Sequence, residues 1–213
     1  MSSPSDFPKQ PVSREAKEKL LQQRGLVVWI YGLSGSGKST LATALEHSLH
    51  SDGRFTTVLD GDVVRAGLNQ GLAFSESDRL ENIRRVAEVA KLQCGSGLIT
   101  ICSFITPTQP MRELARQIVG SDDFLEIYLN CSFETCAGRD VKGLYAKAQA
   151  GDIKQFTGQD SVFEPSETAD LVLDTENQLI EDSQNRLYQL VASRIHPAGS
   201  DLDPIPRTEH TEE

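Results

Sequence analysis

The sequence predicts an α/β fold built on a parallel five-stranded sheet with helices on both faces. Five short apolar runs, LVVWIYG, FTTVLDGD, LITICSF, FLEIYLNC and ADLVLDT, alternate with stretches of helical periodicity. Continuous apolar strands separated by helices mark a sheet buried on both sides. A further observation is the stretch GLSGSGKST, Gly32 to Thr40, which follows the first run and precedes the helical pattern STLATALEHSLHS. Strand, glycine-rich loop and helix in that order are the context of a P-loop, so the expected architecture is that of a nucleotide kinase-like P-loop NTPase.

The elements follow in order. Residues 1–13, rich in Ser, Pro and Lys, read as a flexible arm, with Ser13 capping a short helix REAKEKLLQQR that stops at Gly25. After the first strand, a helix over 39–51 places Leu41, Ala44, Leu45 and Leu49 on one face. The second strand leads to a longer helix from about Asp78 to Gln93 with Ser77 as its cap, and the third to a helix beginning near Pro107. The fourth leads to a helix from Ser132 and then a polar, glycine-containing stretch, 140–166. The fifth precedes a final helix, NQLIEDSQNRLYQLVAS, and the acidic segment 196–213, with three prolines and little to bury, reads as a disordered tail. A single domain is expected over 14–195.

The loop pattern G-x-x-x-x-G-K-[ST] is met by Gly32, Gly37, Lys38 and Ser39. Glycines let successive N–H groups turn inward on phosphate oxygens, and the helix start adds the positive end of its dipole. Lys38 would reach the β- and γ-phosphates, and the Ser39 hydroxyl would ligate Mg²⁺.

Composition narrows the partners. The net charge is −10, from 31 acidic and 21 basic residues, so no overall basic field gathers nucleic acid. No apolar run reaches membrane length and the N-terminus lacks a signal-peptide core, which points to the cytoplasm. Cys94, Cys102, Cys131 and Cys136 form no CxxC pair and read as reduced, buried thiols, and His47, His50, His196 and His210 are scattered.

In a parallel sheet, ligands gather at the carboxyl ends of the strands. There LDGDVVR places Asp60 and Asp62 two apart, so one carboxylate can face Mg²⁺ and the other an acceptor hydroxyl; the spacing leaves open which does which. Further on, Arg79 and Asn82 share a helical face. Arg65, Arg79, Arg84, Arg85 and Arg112 suit a bidentate grip on phosphate or sulfate oxygens, although Arg84 and Arg85 fit surface ion pairs with Glu81 and Glu88 better. Phe74 and Phe156, in polar surroundings, can stack on a base or anchor a loop.

Together GLSGSGKST, LDGDVVRAGLN, GLAFSESDRLENIRRVAEVAKL, FITP and KGLYAKAQAGDIKQFTGQDSVFEP resemble the adenylylsulfate (APS) kinase family over about residues 14–192. The resemblance implies phosphorylation of the 3′-hydroxyl of APS by ATP with Mg²⁺, giving 3′-phosphoadenylylsulfate (PAPS). It assigns Gly32, Leu33, Ser34, Gly35, Ser36, Gly37, Lys38, Ser39 and Thr40 to ATP and Mg²⁺, with Arg139 helping to hold ATP; beside Ser39, Asp60 is read as the metal-side aspartate, its exchange with Asp62 left open. It assigns Asp62, Arg65, Phe74, Arg79, Asn82, Ile105, Thr106, Lys142, Gln155 and Phe156 to APS, the last three from a lid over 140–166, with Phe74 and Phe156 sandwiching the adenine. Asp62 and Lys38 are the implied catalytic pair, with Thr106 a candidate phospho-acceptor in place of the family serine, and a homodimer is the family's common state. The chain departs from the family at FITP, where Thr106 replaces a serine that bacterial members can phosphorylate. It departs again at TQPMR, where a YRxxR pattern keeps only Arg112, and at GLAFS for GLGFS and RDVKGLY for RDPKGLY.

Two other readings use the same loop. A nucleotide-dependent regulatory module would bind without transferring phosphate, although no NKxD guanine signature is present. A kinase of the same fold could instead act on another nucleoside or a small alcohol.

Overall fold

In the computed structural model, residues 10–140, 143–151, 156–166 and 168–196 are described. The middle of the sheet is β1, Leu26–Tyr31, buried along its whole length. Around it lie β2 (Thr56–Asp60), β3 (Ile99–Phe104), β4 (Phe124–Asn130) and β5 (Leu171–Asp174), all parallel, in the order β2-β3-β1-β4-β5. The expected five-stranded parallel sheet is therefore present.

The continuous apolar runs are explained by two cores, one on each face. Val28, Ile30, Ile101 and Ile127 pack on one side against Leu41, Leu45 and Leu49 of α2 (Lys38–Ser51) and against Leu187 and Val191 of α8 (Ile180–Ala192). Val27, Trp29, Tyr31, Cys102 and Phe104 point the other way. They meet Val86 and Ala90 of α4 (Glu76–Cys94) and Met111 and Ala115 of α5 (Gln109–Val119). Truncating a fully buried member such as Leu45 to Ala would cost about 2–5 kcal/mol.

The remaining helices among the described residues are α1 (Arg14–Leu21), α3 (Gly61–Ala66), α6 (Phe133–Arg139) and α7 (Leu144–Gln149). Several boundaries differ from the sequence expectation. Helix α1 ends at Leu21 rather than running to Gly25, because Gln22 turns left-handed and the buried Gln23 side chain bonds the Phe55 and Gly97 carbonyls and the Phe55 N–H. The N-cap of α4 is Ser75, not Ser77. Ser75 Oγ accepts from the Asp78 N–H at 3.2 Å and donates to the Asp78 carboxylate at 2.6 Å, a capping-box variant. Helix α5 starts at Gln109 rather than near Pro107, since the Pro107 carbonyl accepts from the Glu164 N–H and the Gln109 N–H donates to the Glu164 carboxylate. Helices α3 and α7 were not expected from the sequence; both have six residues, too short for a periodic signal. The segments 1–9 and 197–213, which contain most of the expected arm and tail, lie outside the described residues.

Candidate active site

The phosphate loop joins the carboxyl end of β1 to α2. Gly37 is the N-cap of α2 at φ +97°, a conformation that L side chains rarely adopt. Gly35, at φ +78°, lies so close to α6 that a Cβ would meet the Cys136 carbonyl at 2.9 Å. Lys38 Nζ bends back over the loop and donates to the Gly32 and Leu33 carbonyls at 3.0 and 2.6 Å, so the ammonium braces the loop's own backbone. Three side chains from later in the chain hold the loop from outside. Tyr145 donates its hydroxyl to the Ser34 carbonyl at 2.7 Å, Thr175 donates to Ser36 O at 2.9 Å, and Arg139 donates to the Gly35 and Thr175 carbonyls.

Strand β2 brings its terminal carboxylate to the same place. Asp60 Oδ2 accepts from the Ser39 hydroxyl at 2.7 Å, while Oδ1 caps α3 by accepting from the Asp62 N–H at 3.0 Å. Hydroxyl and carboxylate are hard oxygen donors, and such a pair suits Mg²⁺, which takes one or two protein ligands and fills its shell with water and phosphate oxygens. Asp62, in the first turn of α3, is exposed.

Two cavities flank this loop. One, about 400 Å³, is walled by Lys38, Ser39, Asp60 and Asp62 on one side and by Arg65, Phe74, Arg79, Asn82, Ile105, Thr106 and Phe156 on the other. The second, about 450 Å³, lies between Gly35, Gly37, Ser39 and Thr40 of the loop and Arg139, Thr175 and Gln178. Ser39 lines both.

Within the first cavity, Arg65 donates to the Leu72 and Ala73 carbonyls, and its guanidinium lies 4.5 Å from the Phe74 ring centroid. Arg79 donates to the Phe74 carbonyl at 2.9 Å and the Thr157 hydroxyl at 2.6 Å. Burial holds both guanidiniums below their ordinary pKa, and Arg79 is lowered further by Arg65 beside it. Two part-buried cations this close make an attractive wall for an anion. Phe74 is 53% exposed. Phe156 is buried, edge-on to Tyr145 at 4.8 Å, and Tyr145 in turn packs edge-on to Phe133 at 5.2 Å. The residues around α7 are thus tied to the phosphate loop through one tyrosine.

Some expected site residues lie elsewhere. Arg112 is buried outside this cavity, 3.8 Å from Glu126 and 5.0 Å from the Tyr31 ring centroid, and it donates to the Glu164 carbonyl at 3.0 Å. Its charge is used in the core and supports the Thr106–Pro107 turn from behind. Arg84 and Arg85 both pair with Glu81 in surface ion pairs. Thr106 Oγ1 accepts from the buried Trp29 indole N–H at 2.9 Å, at a positive φ of 40°. Lys142 and Gln155 lie outside the described residues.

Sequence reasoning missed Asn69, Tyr145, Thr157 and Thr175. Asn69, Tyr145 and Thr157 lie inside the LDGDVVRAGLN and KGLY…FTG motifs and Thr175 at the end of the last strand run, but the contacts each makes depend on segments brought together by folding. The four cysteines are free and buried, and burial pushes the Cys94 and Cys136 thiols up to about 12, so both stay protonated. No described helix is long and apolar enough to cross a membrane.

Comparison with known proteins points one way. The adenylylsulphate kinase family model matches residues 24–174. An adenylyl-sulfate kinase of Bacteroides fragilis (strain YCH46) is 53% identical over 184 residues, 86% of this chain and 91% of its own length. One from Clostridium kluyveri is 47% identical over 184 residues, 86% and 92% of the two chains. The Mycobacterium tuberculosis APS kinase solved with AMPPNP and APS superposes with a TM-score of 0.76 at 42% identity, covering 79% of this chain and 98% of that one.

Proposed function

The chain belongs to the adenylylsulfate kinase family and phosphorylates the 3′-hydroxyl of APS with ATP to give PAPS, and from that premise we propose how its residues divide the reaction. One observation supports the division: two cavities meet at Ser39, so donor and acceptor can approach from opposite sides of the phosphate loop.

ATP occupies the second cavity, with its phosphates over Gly32–Thr40 and Arg139 against the loop. APS occupies the first, its adenine between Phe74 and Phe156 and its anionic groups facing Arg65 and Arg79, with Asn82, Ile105 and Thr106 completing the wall. Lys142 and Gln155 add to the APS side. Asp60 takes the metal-side role with Ser39, because both of its oxygens already face Ser39 and the α3 start. Mg²⁺, held there, would neutralise charge on the phosphates. Asp62, which lines the acceptor cavity, orients the 3′-hydroxyl and accepts its proton. Lys38 leaves the Gly32 and Leu33 carbonyls for the γ-phosphate, and the hydroxyl oxygen bonds to phosphorus as the bond to ADP breaks.

The transfer is direct and requires no phosphoenzyme, because donor and acceptor meet at one site. Residues 140–166 act as a lid that closes over both ligands and excludes water. One domain over 14–195, a homodimer and a cytoplasmic setting complete the proposal, all three resting on the family resemblance and the sequence. Release of ADP, measured with ATP and Mg²⁺ in the presence of APS and separately with AMP or adenosine, tests it. Turnover with APS alone is expected; equal turnover with sulfate-free acceptors would defeat the reading.

A further inference from the structure

We propose that Asn69 is a positioning residue that fixes the polarity of Asn82, so that the acceptor cavity presents an amide N–H₂ there and not a carbonyl. The inference rests on the reading of that cavity as the APS site. Asn69 lies in the turn between α3 and α4 and is fully buried. Its Nδ2 donates to Asn82 Oδ1 at 2.9 Å and, more weakly, towards the Asn82 backbone carbonyl at 3.4 Å. A backbone carbonyl can only accept, so it fixes which end of the Asn69 amide faces α4. The Asn82 side chain must therefore offer its oxygen to Asn69, and its N–H₂ is left for the cavity that Asn82 lines.

A second observation supports a role beyond packing. Asn69 Oδ1 is buried with no hydrogen-bond partner among the described residues. An amide with one half unpaired is a poor filler for a fully buried position, and an apolar residue would avoid the penalty. Its use here is the one bond it makes to Asn82. The polarity suits the ligand: phosphoryl, sulfuryl and ribose oxygens and adenine ring nitrogens all accept, and a carbonyl at that point would repel them.

The test compares KM for APS and for ATP in Asn82→Ala, Asn69→Asp and Asn69→Ala, with melting curves to show folding. Asn82→Ala is expected to raise the APS KM about tenfold with little change for ATP; no change there would mean that the cavity reading is wrong, irrespective of Asn69. Asn69→Asp places an acceptor-only carboxylate against Asn82, which must turn its N–H₂ inward. Its APS KM should rise about tenfold at pH 9 with the ATP KM within about twofold. As pH falls toward 6, the introduced carboxyl, its pKa raised by burial, becomes a donor again and the APS KM should return toward wild type. A simple packing defect would not titrate in this way. If that variant does not fold, Asn69→Ala decides: a severalfold rise for APS alone supports the assignment. With Asn82→Ala impaired, an APS KM unchanged in the folded Asn69 variant, or APS and ATP constants rising together, would overturn it.

Discussion

Replacing Lys38 by alanine separates the loop's two uses of its ammonium. In the free protein, Nζ bonds the Gly32 and Leu33 carbonyls at 3.0 and 2.6 Å, so Lys38 does more than wait for phosphate. Losing these bonds returns two carbonyls to the solvent beside an open cavity, at a cost of about 1–3 kcal/mol. In a chain of 213 residues that is a melting-temperature drop of about 2–12 °C. The catalytic loss is larger. Removing one preorganised donor to developing charge costs about 2.7–4 kcal/mol, or about 10²- to 10³-fold in kcat. Coupled measurement of ADP release with saturating ATP and APS, together with a circular dichroism melt, reads both quantities. Turnover within tenfold of wild type would remove Lys38 from the transfer step. A melt collapsed to assay temperature would show that its bracing role dominates, and the proposed division of roles would be refuted.

Other outcomes follow from neighbouring geometry. Phe156→Ala should weaken APS more than ATP, by about 1–3 kcal/mol for a lost stacking partner, and APS added with ADP should slow hydrogen exchange across 143–151 and 156–166. Equal losses for both ligands, or unchanged exchange, would mean that Phe156 only anchors its segment to Tyr145. Thr106→Ala should keep kcat within about tenfold while costing about 1–3 kcal/mol of stability, because the buried Trp29 indole loses its acceptor; abolished turnover with a phosphothreonine trapped in the wild type would defeat direct transfer. Asp123 supplies the pH test. Burial alone would raise its pKa, but hydrogen bonds and charge from Arg14 and Arg24 lower it below the ordinary carboxylate value. Its stabilising contribution is full above the unfolded value, near 4, and is lost as pH falls through the lower folded value. Asp123→Asn should therefore lower the melting temperature at pH 7 and narrow the gap to wild type in strong acid; a gap independent of pH would count against the pairing.

The sheet and the phosphate loop were legible in the sequence because their determinants are local. Five apolar runs mark strands buried on both faces, and spacing within GLSGSGKST sets the turn, the helix start and the lysine without help from distant residues. Asp60 and Asp62 were readable as a pair, since a strand end fixes where such carboxylates lie. Their different surroundings were not, because Asp60 is distinguished by a bond to Ser39, 21 residues away in sequence. Arg112 marks the same boundary more sharply. From sequence it equals Arg65 and Arg79 as a candidate anion grip, yet packing places it against Glu126 and Tyr31, where a buried carboxylate and a ring face claim its charge. Phe156 had two readings by spacing alone, and only the arrangement of Tyr145 and Phe133 shows that its ring is already packed. Asn69 and Asn82 both stand in quoted motifs, but the bond between them was not legible, since the orientation of an amide depends on which carbonyl the folded backbone sets opposite it. Residue type and spacing therefore determined which groups could do the chemistry; long-range packing decided which remain available for it, because burial and pairing are properties of neighbours that the chain acquires only on folding.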